Sequence, residues 1–145
     1  MTSDERTRPP YEVLEHTADV GLRIYGRTLA ALFSNAGLGL MALAIEPQKF
    51  QEEERRALAV TGADAEQLLV NWLSEILYYM DAEGWAFTRF DITECSPTAI
   101  AAEGWGERRD PASRTRAVAV KAVTYHQLAV RETADGFEAT VYFDI

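Results

Sequence analysis

The sequence predicts an α+β domain in which two principal helices pack against mixed β-sheets or a pair of sheets. Apolar residues at helical spacing indicate one helix between Thr28 and Pro47 and another over 64–83, while alternating segments indicate strands. These elements do not alternate strictly along the chain, which favours the α+β class. With 145 residues, 48% of them hydrophobic, we expect one domain over 11–145 after a disordered tail of residues 1–10.

The first part of the chain is typical of a hairpin followed by a helix. Alternation predicts strands over 11–16 and 20–26, joined by a short turn. Thr28 can cap the first helix, and Pro47 forbids its continuation. A third strand is predicted over 55–62.

The second helix has the strongest signals in the sequence. Asp64 and Gln67 form a capping-box pattern at its start, and Gly84 ends it. We expect the apolar stripe between these signals to face the sheet. The stripe consists of Leu68, Leu69, Trp72, Leu73, Ile76, Leu77 and Met80.

Four more strands are predicted after the second helix. Strands over 85–94 and 98–105 are separated near Pro97, a residue that suits a break rather than a ladder interior. A terminal hairpin is predicted from strands over 121–132 and 137–145, the second running to the last residue.

The charge of the chain argues against direct nucleic-acid binding. Its 23 acidic and 14 basic residues give a net charge of −9 at pH 7 and a pI near 4.7, opposite in sign to proteins that neutralise phosphates. The one basic patch is the predicted loop 106–116, either a solvated connection or a contact surface for a partner. Its arginines are Arg108, Arg109, Arg114 and Arg116.

The sequence also indicates the compartment. No segment approaches the roughly 20 apolar residues of a membrane helix, and the charged start does not look like a signal peptide. We therefore expect a cytoplasmic protein without membrane contact. The single cysteine, Cys95, cannot form an internal disulfide and is expected to fill space.

The segment EHTADVG, residues 15–21, places His16 and Asp19 at the turn between the first two strands. One interpretation is structural, with Asp19 forming an Asx-type turn and His16 hydrogen-bonded at the strand end. The other is half of a divalent-cation site, which needs a third donor. Asp144 is the best distant candidate, because alternation places it away from the Phe143 face, although a carboxylate at a chain end is usually only solvated.

Two further residues could contribute to a site. His126 shares a predicted strand face with Leu128 and Val130, which favours a buried, hydrogen-bonded imidazole. Lys121 precedes it and is either a surface lysine or a partner contact. The sequence contains no phosphate-binding loop, nucleophile elbow or HExxH pattern, so it indicates neither an organic cofactor nor an enzyme.

Four segments in order resemble the archease family, and together they cover nearly the whole chain. They are EHTADVGLRIYGRTLAALFSNA, QLLVNWLSEILYYMD, VKAVTYHQLAV and the terminal VYFDI. Agreement is poorest before Tyr11 and in 106–116.

This resemblance implies a non-catalytic accessory protein. Archease-like proteins activate the GTP- and metal-dependent ligase that joins RNA ends bearing a 2′,3′-cyclic or 3′-phosphate to a 5′-hydroxyl, in tRNA splicing and RNA repair. They promote guanylylation of the ligase and its multiple turnover. The alternative that the resemblance implies is a chaperone-like modulator of a tRNA cytosine methyltransferase. A small metal-dependent hydrolase is a third reading, which requires turnover by the chain alone.

The resemblance also implies a metal site on His16, Asp19 and Asp144, with the terminal carboxylate of Ile145 as a further ligand. Such an oxygen-rich site suits Ca²⁺, Mg²⁺ or Mn²⁺. Lys121 and His126 are then candidates for contacts to those ligands or to the partner. If the first and last strands are neighbours in one sheet, ligands from both ends of the chain converge.

Overall fold

The computed structural model describes residues 9–15, 19–46, 49–113 and 117–145. In this part of the chain two helices pack against a pair of antiparallel sheets, so the predicted α+β class with two principal helices is confirmed. The predicted N-terminal tail falls largely on residues 1–8, outside the described residues. Neither described helix combines the length and apolar character needed to cross a membrane.

In chain order the elements are β1 (Tyr11–Glu15), β2 (Asp19–Gly26), α1 (Leu29–Ala44), β3 (Glu54–Thr61), α2 (Ala65–Glu83), β4 (Trp85–Ser96), β5 (Ala99–Arg108), a short 3₁₀ helix (Pro111–Ser113), β6 (Ala122–Val123), β7 (Ala129–Thr133) and β8 (Gly136–Asp144).

The larger sheet has the strand order β1-β2-β8-β6, and β7 also pairs with β8. The predicted hairpin at the start is confirmed as β1 and β2. The expectation that the first and last strands are neighbours was wrong, because β2 lies between β1 and β8. The last residue of β1 and the end of β8 nevertheless reach the same end of the sheet, because Glu15 pairs with Val20 and Asp144 with Asp19 at the start of β2.

The smaller sheet has the order β3-β5-β4. β4 and β5 form a hairpin whose turn contains Pro97, so the predicted break is confirmed. The prediction that a loop starts at 106 was wrong, because β5 continues to Arg108. Gly106 is held between two strands, as the register partner of Glu54 in β3 and Phe87 in β4.

The first helix begins as predicted at Thr28, whose hydroxyl accepts the N–H of Ala31 at 3.0 Å. It ends at Ala44, before Pro47, which lies outside the described residues. Its buried side includes Phe33 and Leu40, which are inaccessible to solvent.

The second helix has the predicted caps. The Asp64 carboxylate accepts the N–H of Gln67 at 2.8 Å, while the Gln67 side chain accepts the N–H of Ala63 at 2.7 Å. Gly84 ends the helix in the left-handed conformation, with φ of 73°. A Cβ there would lie 1.6 Å from the carbonyl oxygen of Arg109, so glycine is required by conformation and by space.

The stripe of the second helix faces the core between the two sheets. Trp72 is fully buried, donates its indole N–H to the carbonyl oxygen of Phe33 at 2.8 Å and contacts Phe90 edge to face at 5.5 Å between ring centroids. The indole therefore joins both helices to the smaller sheet. The prediction that Trp72 is a core residue is confirmed.

The predicted continuous strand over 121–132 was wrong. It is divided into β6 and β7 by residues 124–128, where Gln127 has a positive φ of 49°. The N–H of His126 bonds the hydroxyl of Thr124 at 3.2 Å, and the N–H of Leu128 bonds the carbonyl oxygen of Tyr125 at 3.3 Å. These local hydrogen bonds replace the ladder and turn the backbone.

Replacing Trp72 by alanine should lower the free energy of unfolding by about 3–5 kcal/mol, because it leaves a cavity and removes the hydrogen bond to Phe33. Urea denaturation measures this change. Tyr78→Ala is the control, because Tyr78 lies on the exposed side of the same helix and is 58% exposed. Equal unfolding midpoints for the two variants would contradict this orientation of the helix.

Candidate functional site

Two aspartates from opposite ends of the chain face each other at the end of the larger sheet. Asp19, the first residue of β2, is the register partner of Asp144, the last residue of β8. Directly opposed residues in antiparallel strands have Cβ atoms roughly 4.5–5.5 Å apart and side chains on the same face. The structure therefore brings these two predicted site residues together.

The pair lies on the outer face of the sheet. The next register pair, Val20 with Phe143, is buried in the core, and successive side chains of a strand point to opposite faces. Asp144 is exposed and Asp19 is half-buried. Solvent-borne ions can therefore reach the carboxylates.

Neither carboxylate is neutralised by a neighbour in the described part of the chain. No side-chain hydrogen bond or ion pair joins Asp19 or Asp144 to another residue of 9–15, 19–46, 49–113 or 117–145. These ranges also contain no group of three or more His, Cys, Asp or Glu side chains placed to hold a metal. Two unpaired, directly opposed anions repel each other, and a divalent cation would relieve that repulsion.

Two of the other predicted ligands and contacts, Ile145 and Lys121, lie beside Asp144. His16 lies outside the described residues. Ile145 follows Asp144 at the chain end and is 44% exposed. Lys121 donates its backbone N–H to the carbonyl oxygen of Asp144 at 2.8 Å, and its side chain is exposed.

His126 is not placed as predicted. It lies in the turn between β6 and β7 and is exposed, so the expected buried imidazole on a strand face was wrong. Its ring instead contacts Tyr142 edge to face at 5.5 Å between ring centroids. Tyr142 precedes Asp144 by two residues, so His126 lies on the same face of the sheet as the aspartates.

Tyr142 is a neighbour of the site that the sequence analysis did not name. It pairs with Gly21, and a Cβ at Gly21 would lie only 2.7 Å from the tyrosine ring, so the ring covers the glycine. The available signal was the period of two along the last strand, which assigns Tyr142 and Asp144 to one face. That Gly21 lies opposite Tyr142 could not be predicted without knowing the register of the two strands.

Two of the four arginines in the predicted basic loop form ion pairs with acidic residues. Arg108 pairs with Glu54 at 3.3 Å, and Arg109 pairs with Glu107 at 2.5 Å and Glu53 at 3.8 Å. Their charges are thus shared with acidic side chains. Arg114 and Arg116 lie outside the described residues.

Replacing Arg109 by serine should destabilise the protein more than the matched change at Arg108. The Glu107 side chain is 6% exposed, whereas the partner of Arg108, Glu54, is 42% exposed. Arg109→Ser should cost about 1–2 kcal/mol and Arg108→Ser under about 0.5 kcal/mol, measured by urea unfolding. The reverse order would show that burial of Glu107 does not depend on its ion pair.

Several titratable groups away from the aspartates have shifted pKa values, among them Cys95, Tyr25 and Glu52. Burial raises the pKa of the Cys95 thiol, in keeping with a space-filling residue. Burial also raises the pKa of Tyr25, and the neighbouring Glu12 adds to the shift. Hydrogen bonds from Arg89 lower the pKa of Glu52, so this contact stabilises the fold at neutral pH and is lost as the pH falls through the folded-state pKa.

The aspartate pair should destabilise the metal-free protein. In buffer with a chelator, Asp144→Asn should raise the free energy of unfolding by about 0.2–1 kcal/mol, because it removes the repulsion across the strands. The gain should shrink with added salt, which screens the wild-type repulsion.

Asp135→Asn is the control for this measurement, because Asp135 is an exposed aspartate in the turn before β8, at the other end of the strand. It should leave stability unchanged. A stabilisation by Asp135→Asn equal to that of Asp144→Asn would assign the effect to net charge rather than to the pair.

Fold and site together define a small α+β domain that carries two directly opposed aspartates where its second and last strands meet. The family model described as "Archease protein family (MTH1598/TM1083)" matches residues 11–145. The chain belongs to the archease family.

Curated relatives support this assignment. The chain is 40% identical over 139 residues to "Protein archease" of Methanosarcina acetivorans, covering 93% of this chain and 95% of the relative. It is 42% identical over 137 residues to "Protein archease" of Saccharolobus solfataricus, covering 93% and 98%.

Two solved structures share the fold. The solution structure of Methanobacterium thermoautotrophicum protein 1598 has a TM-score of 0.80 at 27% identity and covers 94% of this chain and 99% of its own. The crystal structure of a Thermotoga maritima protein, described as an archease and possible chaperone, has a TM-score of 0.65 and covers 96% and 98%. At 21% identity, the second comparison bears on the fold alone.

Proposed function

We propose that this protein is a non-catalytic, metal-binding activator of the GTP-dependent ligase that joins RNA 3′-phosphate or 2′,3′-cyclic phosphate ends to 5′-hydroxyl ends. The observation that carries the proposal is the register pair of Asp19 and Asp144. Membership of the archease family supplies the accessory role and the class of partner.

The donor set fits a hard divalent cation. Two carboxylates on one face of a sheet supply anionic oxygens, which Ca²⁺, Mg²⁺ and Mn²⁺ prefer. His16 would add an imidazole, and the terminal carboxylate of Ile145 would add another oxygen. The cation would supply positive charge for exchange with, or delivery to, the guanylylation site of the ligase.

The surroundings of the pair fit a role in a complex. The carboxylates lie at the edge of the molecule, next to the exposed Lys121 and Ile145, rather than in a deep cleft. A net charge of −9 favours a cation and a basic partner surface over RNA itself. These features favour an accessory protein over a hydrolase, which would turn over substrate without a partner.

The test is a ligation assay with a cognate ligase, GTP, Mn²⁺ and RNA with the required ends. Wild type should increase the number of RNA molecules joined per ligase. Asp19→Ala, Asp144→Ala and Asp144→Asn should reduce the yield to that of ligase alone, because each removes a charged donor. Asp135→Asn should stimulate normally. Normal stimulation by all three site variants would contradict the proposal.

Thermal unfolding provides a readout independent of the ligase. Mn²⁺ should raise the Tm of wild type, because it binds only the folded state, and should raise that of Asp144→Asn much less. Without metal, Asp144→Asn should have the higher Tm of the two proteins, because it lacks the repulsion. With Mn²⁺, wild type should have the higher Tm. Absence of any metal-dependent shift in wild type would exclude a metal site.

A chaperone-like role with a tRNA cytosine methyltransferase is the second candidate. It is the alternative role that the resemblance of the sequence to the archease family implies. This role needs no metal, so a chelator should leave an effect on the methyltransferase intact while it abolishes ligase activation.

A further inference from the structure

Within the part of the chain that the structure describes, no strand pairs with the outer edge of β6. In the order β1-β2-β8-β6, this strand is last, so one of its edges faces away from β8. Thr124 donates its N–H to the carbonyl oxygen of Tyr142 in β8 at 2.9 Å. Backbone groups alternate sides along a strand, so the adjacent Val123 directs its N–H and C=O away from β8. An exposed strand edge of this kind can pair with an extended chain.

A groove of about 460 Å³ runs between this edge and α2. Ser74, Tyr78 and Asp81 line its helix side, and Lys121 and Val123 line its strand side. Side chains therefore border the outer edge of β6 and can contact a segment that pairs with it.

The same sheet edge is closed further along. At β7, Val130 donates its N–H to the carboxylate of Glu66, in the first turn of α2, at 3.2 Å. The helix thus satisfies an edge donor at β7 and leaves a groove at β6. The opening at β6 is a local feature of the fold.

Exposed apolar side chains concentrate around β6. The described residues contain four large apolar side chains that are 44–60% exposed, and three of them flank this strand. Tyr78 forms a groove wall, Tyr125 lies two residues beyond Val123, and Ile145 follows Asp144, the register partner of Ala122. Exposed aromatic groups in a cluster are typical of protein contact sites.

We infer that an extended, basic segment of the partner protein adds as a strand to β6, in the groove beside α2. Asp81 and Lys121 line the groove, and Asp144 pairs with Ala122 in its strand wall and lies opposite Asp19, so three carboxylates accompany one lysine there. A segment carrying lysine or arginine matches this charge. The inference rests on the proposed function for the identity of the partner, the RNA ligase, and places it next to the aspartate pair.

Hydrogen exchange at single amides tests the pairing directly. In the complex with ligase, exchange of the Val123 amide should slow at least tenfold. Val13 is the matched control: Tyr25 donates its N–H to the carbonyl oxygen of Pro10 at 3.0 Å, so alternation turns the N–H of Val13 outward on the opposite edge of the sheet. Unchanged exchange at Val123 in a formed complex would overturn the inference, as would equal slowing at Val13.

Substitutions test the groove. Val123→Pro removes the outward donor, and Ser74→Trp fills the groove from an exposed helix position, so each should weaken ligase binding at least tenfold. Both should retain the Mn²⁺-dependent rise in Tm. Val13→Pro should bind the ligase like wild type. Wild-type affinity in both Val123→Pro and Ser74→Trp would overturn the inference.

The outcomes separate this inference from the proposed function. If wild type neither binds nor stimulates the ligase, both are overturned. If wild type stimulates the ligase while Val123→Pro and Ser74→Trp bind it normally, only the groove assignment is overturned. Protection of the Val123 amide that grows with protein concentration in the absence of ligase would identify a second copy of this chain as the occupant and overturn the ligase segment.

Discussion

The antiparallel ladder between β2 and β8 is the constraint on which both fold and site depend. Its inner face consists of side chains that are fully buried or nearly so, including Leu22, Val141 and Phe143. A shift of one residue in this register would turn every side chain of one strand to the other face and place polar groups in the core. Burial of the apolar face therefore fixes the register of the two strands, and this register places Asp19 opposite Asp144.

Away from the aspartate pair, the larger sheet has acidic residues paired with arginines, as in Glu12 with Arg23 and Glu138 with Arg131. On the smaller sheet, carboxylates are paired with arginines, as in Glu54 with Arg108 and Glu107 with Arg109. At the end of the larger sheet, the aspartate pair has no such partner in the described part of the chain. A chain that pairs several of its acidic residues with arginines but places two aspartates opposite each other here has a local electrostatic repulsion, which a bound cation would offset.

The second helix links stability to the proposed interaction surface. One side of α2 buries Trp72 between the sheets, and another presents Tyr78 to solvent beside β6. The caps and the core packing of the helix fix the position of this groove wall without a partner. A preorganised surface loses less conformational freedom on binding.

The sequence by itself determined the elements whose signals are local. Thr28, Asp64 and Gly84 marked helix ends correctly, because a cap depends on residues within one turn. Alternation likewise indicated the strands and the outward position of Asp144. The family followed from segments of sequence in order.

Only the tertiary structure decided which strands are neighbours and where a predicted strand breaks. The pairing of β2 with β8, the extension of β5 to Arg108 and the division at Gln127 all depend on hydrogen bonds between residues far apart or on a turn with no glycine to signal it. For the same reason His126 was placed on the wrong element, and Tyr142 was not recognised beside the aspartates. The alternation of apolar and polar residues predicts on which face of a strand a residue lies. Which residue of the neighbouring strand it pairs with depends on the register, and the packing of the core sets the register.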